Sequence, residues 1–260
     1  MGIIYATCNQ KGGVGKTTTT VNLSAFLAIL GKQVLLVDID PQGNATSGLG
    51  LDRDQLAECI YDVIIGGLEI TRIIKTTLTQ GLYLAPATAR LAGAEVELVP
   101  ELRREVKLKE ALLPIKNKYD YIIIDCPPSL SLLTVNALTA ADEVIIPIQC
   151  EYYALEGLSQ LTKTLDLVRL NLNPGLKIAG ILLTMYDSRT LLSEEVAEEA
   201  RALLGEKVFK TVIPRNVRLA EAPSFGQPII FYDPTSSGAL AYESLSKEVL
   251  ENGERKKGTG

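Results

Sequence analysis

A glycine-rich loop near the beginning of the chain constrains the possible fold more than any other feature of the sequence. It lies between an apolar run, 3–8, and a helical pattern, 17–30, and it reads Asn9-Gln10-Lys11-Gly12-Gly13-Val14-Gly15-Lys16-Thr17. Glycines let backbone N–H groups turn inward around phosphate oxygens, and the following helix points its positive dipole end at the same place. An ordinary glycine turn before a core helix is the alternative, but the strand–loop–helix context favours a phosphate site.

The residue types of this loop predict a binding site for ATP and Mg²⁺. We expect Lys16 to reach the β- and γ-phosphates and the Thr17 hydroxyl to ligate Mg²⁺. The predicted nucleotide contacts come from the continuous segment Lys11, Gly12, Gly13, Val14, Gly15, Lys16, Thr17 and Thr18.

Short apolar runs alternate with helical patterns along the whole chain. Strands are predicted over 3–8, 33–40, 82–85, 121–125, 143–149, 177–184 and 207–213, and helices over 17–30, 94–116, 132–141, 155–172, 191–204 and 237–250. Strands that are apolar on both faces and alternate with helices indicate an α/β fold, a doubly wound and mostly parallel sheet with helices on both faces. We expect a single ATPase domain over 1–250 and a polar, flexible tail over 251–260.

Composition narrows the kind of protein further. The chain has no histidine and its cysteines, Cys8, Cys59, Cys126 and Cys150, form no CxxC pair, so a Cys/His metal site is not expected and the thiols are interpreted as buried apolar groups. The formal net charge of −5 gives no global attraction to nucleic acid, so DNA binding would need a local basic patch. No apolar run reaches the roughly 18 residues of a membrane span, and we expect a cytoplasmic protein.

Three aspartates end predicted strands, where ligands bind in open α/β sheets. Asp125 is followed by Pro127-Pro128, which end the strand, and its carboxylate can hold Mg²⁺ through water or, alternatively, cap the next helix. Asp38 and Asp40 share one face of their strand because side chains alternate with a period of two. Without histidine, a carboxylate is the natural group to position water. The other carboxylate could bond the backbone or a water of Mg²⁺, and Asp38 could be only structural.

The loop departs from the standard G-x-x-x-x-G-K-[ST] form, because Gln10 stands where the first glycine would be and Lys11 adds a second lysine. The KGGxGKT form resembles the deviant Walker A box of the ParA/MinD ATPase family. Other segments resemble that family's boxes too: VDIDPQGN at 37–44, IIIDCPP at 122–128 and IPRNVRLAEAP at 213–223. Together these motifs are most similar to those of chromosomal ParA, or Soj-type, partition ATPases, and the matches run from about residue 3 to residue 250.

The resemblance implies roles that the residues alone leave open. Lys11 would reach the nucleotide of a partner subunit, and Gly12 would lie where two loops approach closely. Asp40 would position the attacking water and contact Mg²⁺ through water, which makes Lys11, Lys16 and Asp40 the expected catalytic residues.

The same resemblance assigns two further surfaces. Pro214, Arg215 and Asn216 would bind adenosine, although proline and asparagine are also common in ordinary turns. Arg189 and Arg218, each by itself an unremarkable surface arginine, would contact DNA phosphates without sequence preference.

The implied function is partition of a chromosome or plasmid. The implied partners are a second copy of the chain in an ATP-bound sandwich dimer, nonspecific double-stranded DNA, and a ParB-type centromere-binding protein that stimulates slow hydrolysis; the protein would be nucleoid-associated. A MinD-type membrane regulator is less favoured because residues 251–260 offer no apolar helix face. An iron-protein type of electron transfer would need thiolates besides Cys126. A small-molecule kinase or ligase is the remaining alternative.

Overall fold

Eight strands among the described residues form one sheet in the computed structural model. The model describes residues 2–151 and 154–258, without the side chains of 154–157 and 254–258. The strands are β1 (Ile3–Thr7), β2 (Val34–Asp38), β3 (Lys75–Thr76), β4 (Leu82–Ala85), β5 (Tyr121–Asp125), β6 (Glu143–Gln149), β7 (Lys177–Tyr186) and β8 (Val208–Pro214). Their order is β3-β4-β2-β5-β1-β6-β7-β8, and every neighbouring pair is parallel except β3 with β4. The predicted fold class is confirmed.

Helices cover both faces of the sheet. They are α1 (Lys16–Ile29), α2 (Asn44–Gly48), α3 (Ile60–Ile64), α4 (Leu91–Glu97), α5 (Lys107–Leu112), α6 (Leu132–Ala140), α7 (Ala154–Asn171), α8 (Leu191–Leu204), α9 (Val217–Glu221), α10 (Ile229–Tyr232) and α11 (Ser237–Gly258). In β5, Ile122 and Ile124 pack into the core on the side of α3 to α8, whereas Ile123 packs into the core on the side of α1 and α11. Burial on both faces explains why the strands read as continuous apolar runs.

One predicted helix is wrong. The segment predicted as a helix over 94–116 contains the end of α4 and all of α5, which are separated by an irregular stretch over 98–106. Pro100 lies in this stretch, and it cannot donate a helical hydrogen bond and clashes with the preceding turn. The buried Asn136 fixes the stretch, since its side chain accepts from the Leu108 N–H at 3.1 Å and donates to the Arg104 carbonyl at 2.7 Å.

The last helix continues beyond its predicted end at residue 250, to Gly258. Its added residues are polar but include good helix formers such as glutamate, arginine and lysine. Residues 251–258 of the predicted tail are therefore helical, and 259–260 lie outside the described residues. None of the described helices is long and apolar enough to cross a membrane. All four cysteines are buried and free, as expected.

The topology brings the predicted site residues to one edge of the sheet. β1 lies between β5 and β6, and the chain continues on one side to β2 and on the other to β7 and β8. Strand order therefore reverses at β1, which opens a crevice at the carboxyl ends of the strands. The glycine-rich loop leaves β1 at this crevice, and Asp38 and Asp125 end the strands β2 and β5.

Candidate nucleotide site

Two glycines in the loop between β1 and α1 have backbone angles that require glycine. Gly13 has a φ of 73° and Gly15 a φ of 84°, a left-handed conformation in which a side chain is strained. Gly12 differs, because its φ is not in that range and a Cβ placed there would meet no atom of the described residues within 4 Å. Gly12 and Gly13 are both exposed at the mouth of the crevice.

Side chains of neighbouring strands hold the loop in place. Asn9 donates to the Pro147 carbonyl at 2.8 Å and accepts from the Lys11 N–H at 3.0 Å. The buried Thr184, in β7, lies within 2.9 Å of the Val14 carbonyl through its Oγ1. The loop is thus fixed to β6 and β7 on the side away from solvent.

The backbone of the loop fits a phosphate ligand. Within the described part of the chain, the N–H groups of residues 12–17 donate no hydrogen bond, although α1 begins at Lys16 and runs for 14 residues. Free N–H groups at the start of a long helix form an anion site. A triphosphate would satisfy these donors.

The two lysines of the loop occupy different environments. Lys16 is only 6% exposed, and its Nζ donates across the loop to the Lys11 carbonyl at 2.9 Å. Burial lowers the pKa of Lys16, and the nearby Asp125 opposes this shift. Lys11 is exposed, and its Nζ lies 3.3 Å from a Glu151 carboxylate oxygen. An exposed pair of this kind contributes at most about 1 kcal/mol, so Lys11 can leave it easily.

Asp125 is buried below α1 and contacts two threonines of that helix. Its Oδ2 accepts from Thr17 Oγ1 at 2.8 Å, and its Oδ1 lies 2.9 Å from Thr20 Oγ1. Thr20 Oγ1 also lies 2.8 Å from the Lys16 carbonyl, and one hydroxyl proton cannot serve two acceptors fully. Burial, followed by the charge of Asp38, raises the pKa of Asp125 to about 8. The geometry and the raised pKa both favour a protonated carboxyl in the protein without nucleotide.

Asp38 forms its hydrogen bonds within the protein, which is one of the alternatives that the sequence left open. Its carboxylate accepts from the Asp40 N–H at 3.1 Å, the Thr46 N–H at 2.9 Å and the Thr46 hydroxyl at 2.7 Å. Burial raises its pKa to about 6, and the hydrogen bonds from Thr46 oppose the rise. Its contacts with Thr46 join β2 to α2, and its contact with the Asp40 N–H holds the start of the connecting segment, so Asp38 organises the segment that carries Asp40.

Asp40 lies at the crevice with one carboxylate oxygen already engaged. Its Oδ1 accepts from the Gln42 N–H at 2.9 Å, while the side chain is 5% exposed. No cluster of three or more metal-binding side chains exists among the described residues. The set Thr17, Asp125 and Asp40 suits Mg²⁺, which keeps several waters and binds phosphate rather than a cage of protein ligands.

The predicted adenosine segment ends β8 at the same edge of the sheet. Pro214 pairs with Tyr186 of β7, the strand whose Thr184 holds the loop. Asn216 caps α9 by accepting from the Arg218 N–H at 2.8 Å, and it donates to Ser237 Oγ at 2.8 Å. The segment thus lies on the strand next to the loop-bound β7, and the Asn216 amide also has a structural function.

Both predicted DNA-contacting arginines lie at the surface and form ion pairs. Arg189 donates from Nε and Nη2 to the Asp187 carboxylate at 2.8 and 2.7 Å, and its hydrogen bonds hold the pKa of Asp187 well below the usual range. Arg218 lies 2.9 Å from Glu221 and 3.5 Å from Asp233. Each positive charge is therefore partly neutralised in the single chain.

Sequence reasoning missed several residues of the site, among them Thr20, Thr46 and Thr184. The run of threonines over 17–20 was a signal for Thr20, because a helix places residues three apart on one face. Thr46 and Thr184 reach the site only through tertiary structure, so no local pattern could identify them.

Comparisons with known proteins agree with this geometry. A family model described as an AAA domain matches residues 2–178. The sporulation initiation inhibitor protein Soj of Bacillus subtilis is 62% identical, covering 97% of this chain and 100% of that protein. The chromosome partitioning protein ParA of Myxococcus xanthus is 55% identical, with coverage of 96% and 89%. The crystal structure of cobyrinic acid a,c-diamide synthase from Mycobacterium smegmatis with bound ADP and magnesium is 40% identical and superposes with a TM-score of 0.86, covering 98% of this chain and 96% of that one.

Proposed function

The chain belongs to the ParA/MinD family of ATPases with a deviant Walker A loop, and we propose that it is a partition ATPase whose ATP-bound dimer binds DNA. ATP and Mg²⁺ are its cofactors, and its reaction is hydrolysis of ATP to ADP and phosphate. The observation that carries the proposal is the second lysine of the loop. Lys11 is exposed beside the uncrowded Gly12, and among the described residues its side chain is held only by a weak surface pair, so it is available to the nucleotide of a second copy.

Within one copy, different residues bind the phosphates, Mg²⁺ and adenosine. Lys16 and the N–H groups of 12–17 would hold the phosphates, and Thr17 and Asp125 would hold Mg²⁺. When bound, Mg²⁺ would stabilise the negative charge of the phosphates. Lys11 of the second copy adds a cation where negative charge accumulates during phosphoryl transfer. Pro214, Arg215 and Asn216 hold adenosine at the end of β8.

Asp40 positions the water that attacks the phosphate. Within the described residues no hydrogen bond reaches its second carboxylate oxygen, whereas both oxygens of Asp38 accept hydrogen bonds. A chain without histidine has few other groups for this function. Hydrolysis is slow until a ParB-type centromere-binding protein stimulates it and so releases the dimer.

DNA binding follows from dimerisation. Arg189 and Arg218 are exposed and lie on the half of the chain that follows β6. Two copies double the number of phosphate contacts, and the second patch binds at high effective concentration. The site of action is therefore the cytoplasm, at the nucleoid.

The test compares Asp40→Ala with Lys16→Ala by multi-angle light scattering and by phosphate release. Asp40→Ala should bind ATP, accumulate as a dimer and hydrolyse at least about tenfold more slowly, because only water positioning is lost. Lys16→Ala should stay monomeric with ATP. A monomeric Asp40→Ala protein, or one that hydrolyses normally, contradicts the proposal. Binding of the ATP-bound protein to anionic lipid vesicles instead of DNA would favour a MinD-type regulator.

A further inference from the structure

The position of the Asp40 carboxylate depends on a tight turn that follows β2. The Gly43 N–H donates to the Asp40 carbonyl at 2.8 Å and closes the turn, and the Gln42 N–H donates to the Asp40 carboxylate at 2.9 Å. The peptide that contains the Gln42 N–H therefore fixes the carboxylate. Any group that fixes the neighbouring backbone also fixes Asp40.

Arg53 is the side chain that fixes this backbone from outside. Its guanidinium donates to the Gln42 carbonyl, and its aliphatic stem packs on Gly43, where an added Cβ would meet Arg53 Cδ and the Ala87 carbonyl. Gly43 itself has a φ of 59°, which glycine adopts without strain. Arg53 thus closes the open side of a turn whose inner side is held by Asp38.

The backbone of Arg53 is also fixed. It begins a short 3-10 turn, Arg53–Gln55, that Asp52 caps by accepting from the Asp54 N–H at 3.0 Å and from the Gln55 amide at 2.7 Å. A guanidinium that extends from an anchored backbone can restrain its acceptor, because its planar fork is pre-organised and loses little entropy per hydrogen bond.

The charge environment of Arg53 separates it from the other arginines of this region. Arg72 is ion-paired to Glu58 and Arg90 to Asp62. Among the described residues, Arg53 has no ion-pair partner, and the contact of its guanidinium is with the backbone of the Asp40 turn. Arg53 has no carboxylate partner among the described residues and contacts the turn that carries Asp40. This contact explains an arginine at this position better than a general need for surface charge does.

We propose that Arg53 is a positioning residue for hydrolysis, acting on Asp40 through the backbone of Gln42, whose carbonyl accepts from Arg53 and whose N–H donates to the Asp40 carboxylate. The inference rests on the proposed water-positioning function of Asp40. Loss of the Arg53 contact lets the turn relax and moves the carboxylate away from its productive position, and displacements on the order of 1 Å lower rates by up to about 100-fold.

The test measures kcat and KM for ATP in Arg53→Ala, Arg53→Lys and Arg72→Ala, each alone, and Arg53→Ala also in Asp40→Ala. Arg53→Ala should lower kcat by about 5- to 50-fold with KM within about twofold. Arg53→Lys, which still donates to a carbonyl, should recover most of the rate. Arg72→Ala is the matched exposed control and should hydrolyse normally. In Asp40→Ala, the Arg53→Ala change should have no further effect, since both act through one group.

The outcomes separate this inference from the proposed function. Normal kcat in Arg53→Ala, with a strong loss in Asp40→Ala, overturns the Arg53 inference alone. An increase in KM without loss of kcat also overturns it, because Arg53 would then contact nucleotide. An equal loss in Arg53→Ala and Arg53→Lys accompanied by a lower melting temperature would mean a purely structural function and overturns it as well. Normal hydrolysis in Asp40→Ala contradicts the proposed function itself.

Discussion

Adjacent glycines of the phosphate loop should respond differently to the same substitution. Gly12→Val should leave ATP binding intact, because its backbone does not need glycine and a Cβ there meets no described atom within 4 Å. It should block the dimer, where two loops face each other and a branched side chain would separate them. Gly13→Val should instead lose ATP binding, because at a φ of 73° the valine strains the loop.

Light scattering in the Asp40→Ala background and ATP calorimetry measure both effects. The Gly12→Val protein should bind ATP within about threefold of the parent protein and stay monomeric, since its loop keeps the same N–H groups. A dimer in the Gly12→Val/Asp40→Ala protein would rule out close approach of the loops at Gly12.

Substitutions should also separate the functions of the two lysines of the loop. Lys16→Ala should weaken ATP binding beyond detection, because the phosphates lose a buried cation and a charge-assisted contact. Lys11→Ala should bind ATP as a monomer and fail to hydrolyse it, because the nucleotide that Lys11 is proposed to contact is bound to the other copy. Isothermal calorimetry with ATP compares the two. Equal ATP affinity in Lys16→Ala would mean that Lys16 is not the phosphate lysine.

The strands β2 and β5 end in two buried carboxyls, those of Asp38 and Asp125. No cation of the described residues lies at hydrogen-bond distance from either one. The pKa of Asp125 is about 8 when folded, against about 4 in an unfolded chain. Between these values the folded state binds a proton that the unfolded state does not. The free energy of unfolding of the protein without nucleotide should therefore fall as pH rises from 6 to 8, by up to about 1.4 kcal/mol per pH unit from this group.

Urea unfolding at pH 6, 7 and 8 checks this, with Asp125→Asn as the comparison. The substituted protein cannot lose this proton, so its stability should depend less on pH. Equal slopes in the two proteins would show that Asp125 does not titrate in this range.

The observed strands and helices agree with the predicted ones in some segments and differ from them in others. The runs over 82–85, 121–125, 143–149 and 191–204 coincide with β4, β5, β6 and α8, because a nearly continuous apolar run fills each strand and a helical period fills the helix. The prediction over 94–116 ignored Pro100 and joined two helices. The role of Asp38 was left open by the sequence and the contact of Arg53 could not be predicted, since Thr46 and Gln42 meet these side chains only through the fold.

The net charge of the whole molecule, −5 per chain, repels DNA and so opposes the proposed DNA binding. Arg189 and Arg218 pair with carboxylates at the surface, and DNA phosphates can displace such weak pairs. Arg189→Glu or Arg218→Glu should weaken binding to all sequences alike and flatten its dependence on salt, because fewer counterions are released. ATP binding and dimer formation should not change.

Fluorescence titrations at several salt concentrations measure this effect, with Arg72→Glu as the control. Arg72 is also an exposed, ion-paired arginine, but it lies before β3 at the other edge of the sheet. Unchanged affinity in both charge reversals, or an equal loss in the control, would remove Arg189 and Arg218 from the DNA-binding surface.

The proposed function requires that ATP convert an acidic monomer into a DNA-binding dimer. The most direct measurement is titration of a duplex of arbitrary sequence with the Asp40→Ala protein in ATP, in ADP and without nucleotide, at low and at physiological salt. We expect tight binding with ATP, equal for unrelated sequences and weakened by salt, and little binding in the other two states. Equal DNA binding in all three states, or no binding with ATP even at low salt, would contradict the account.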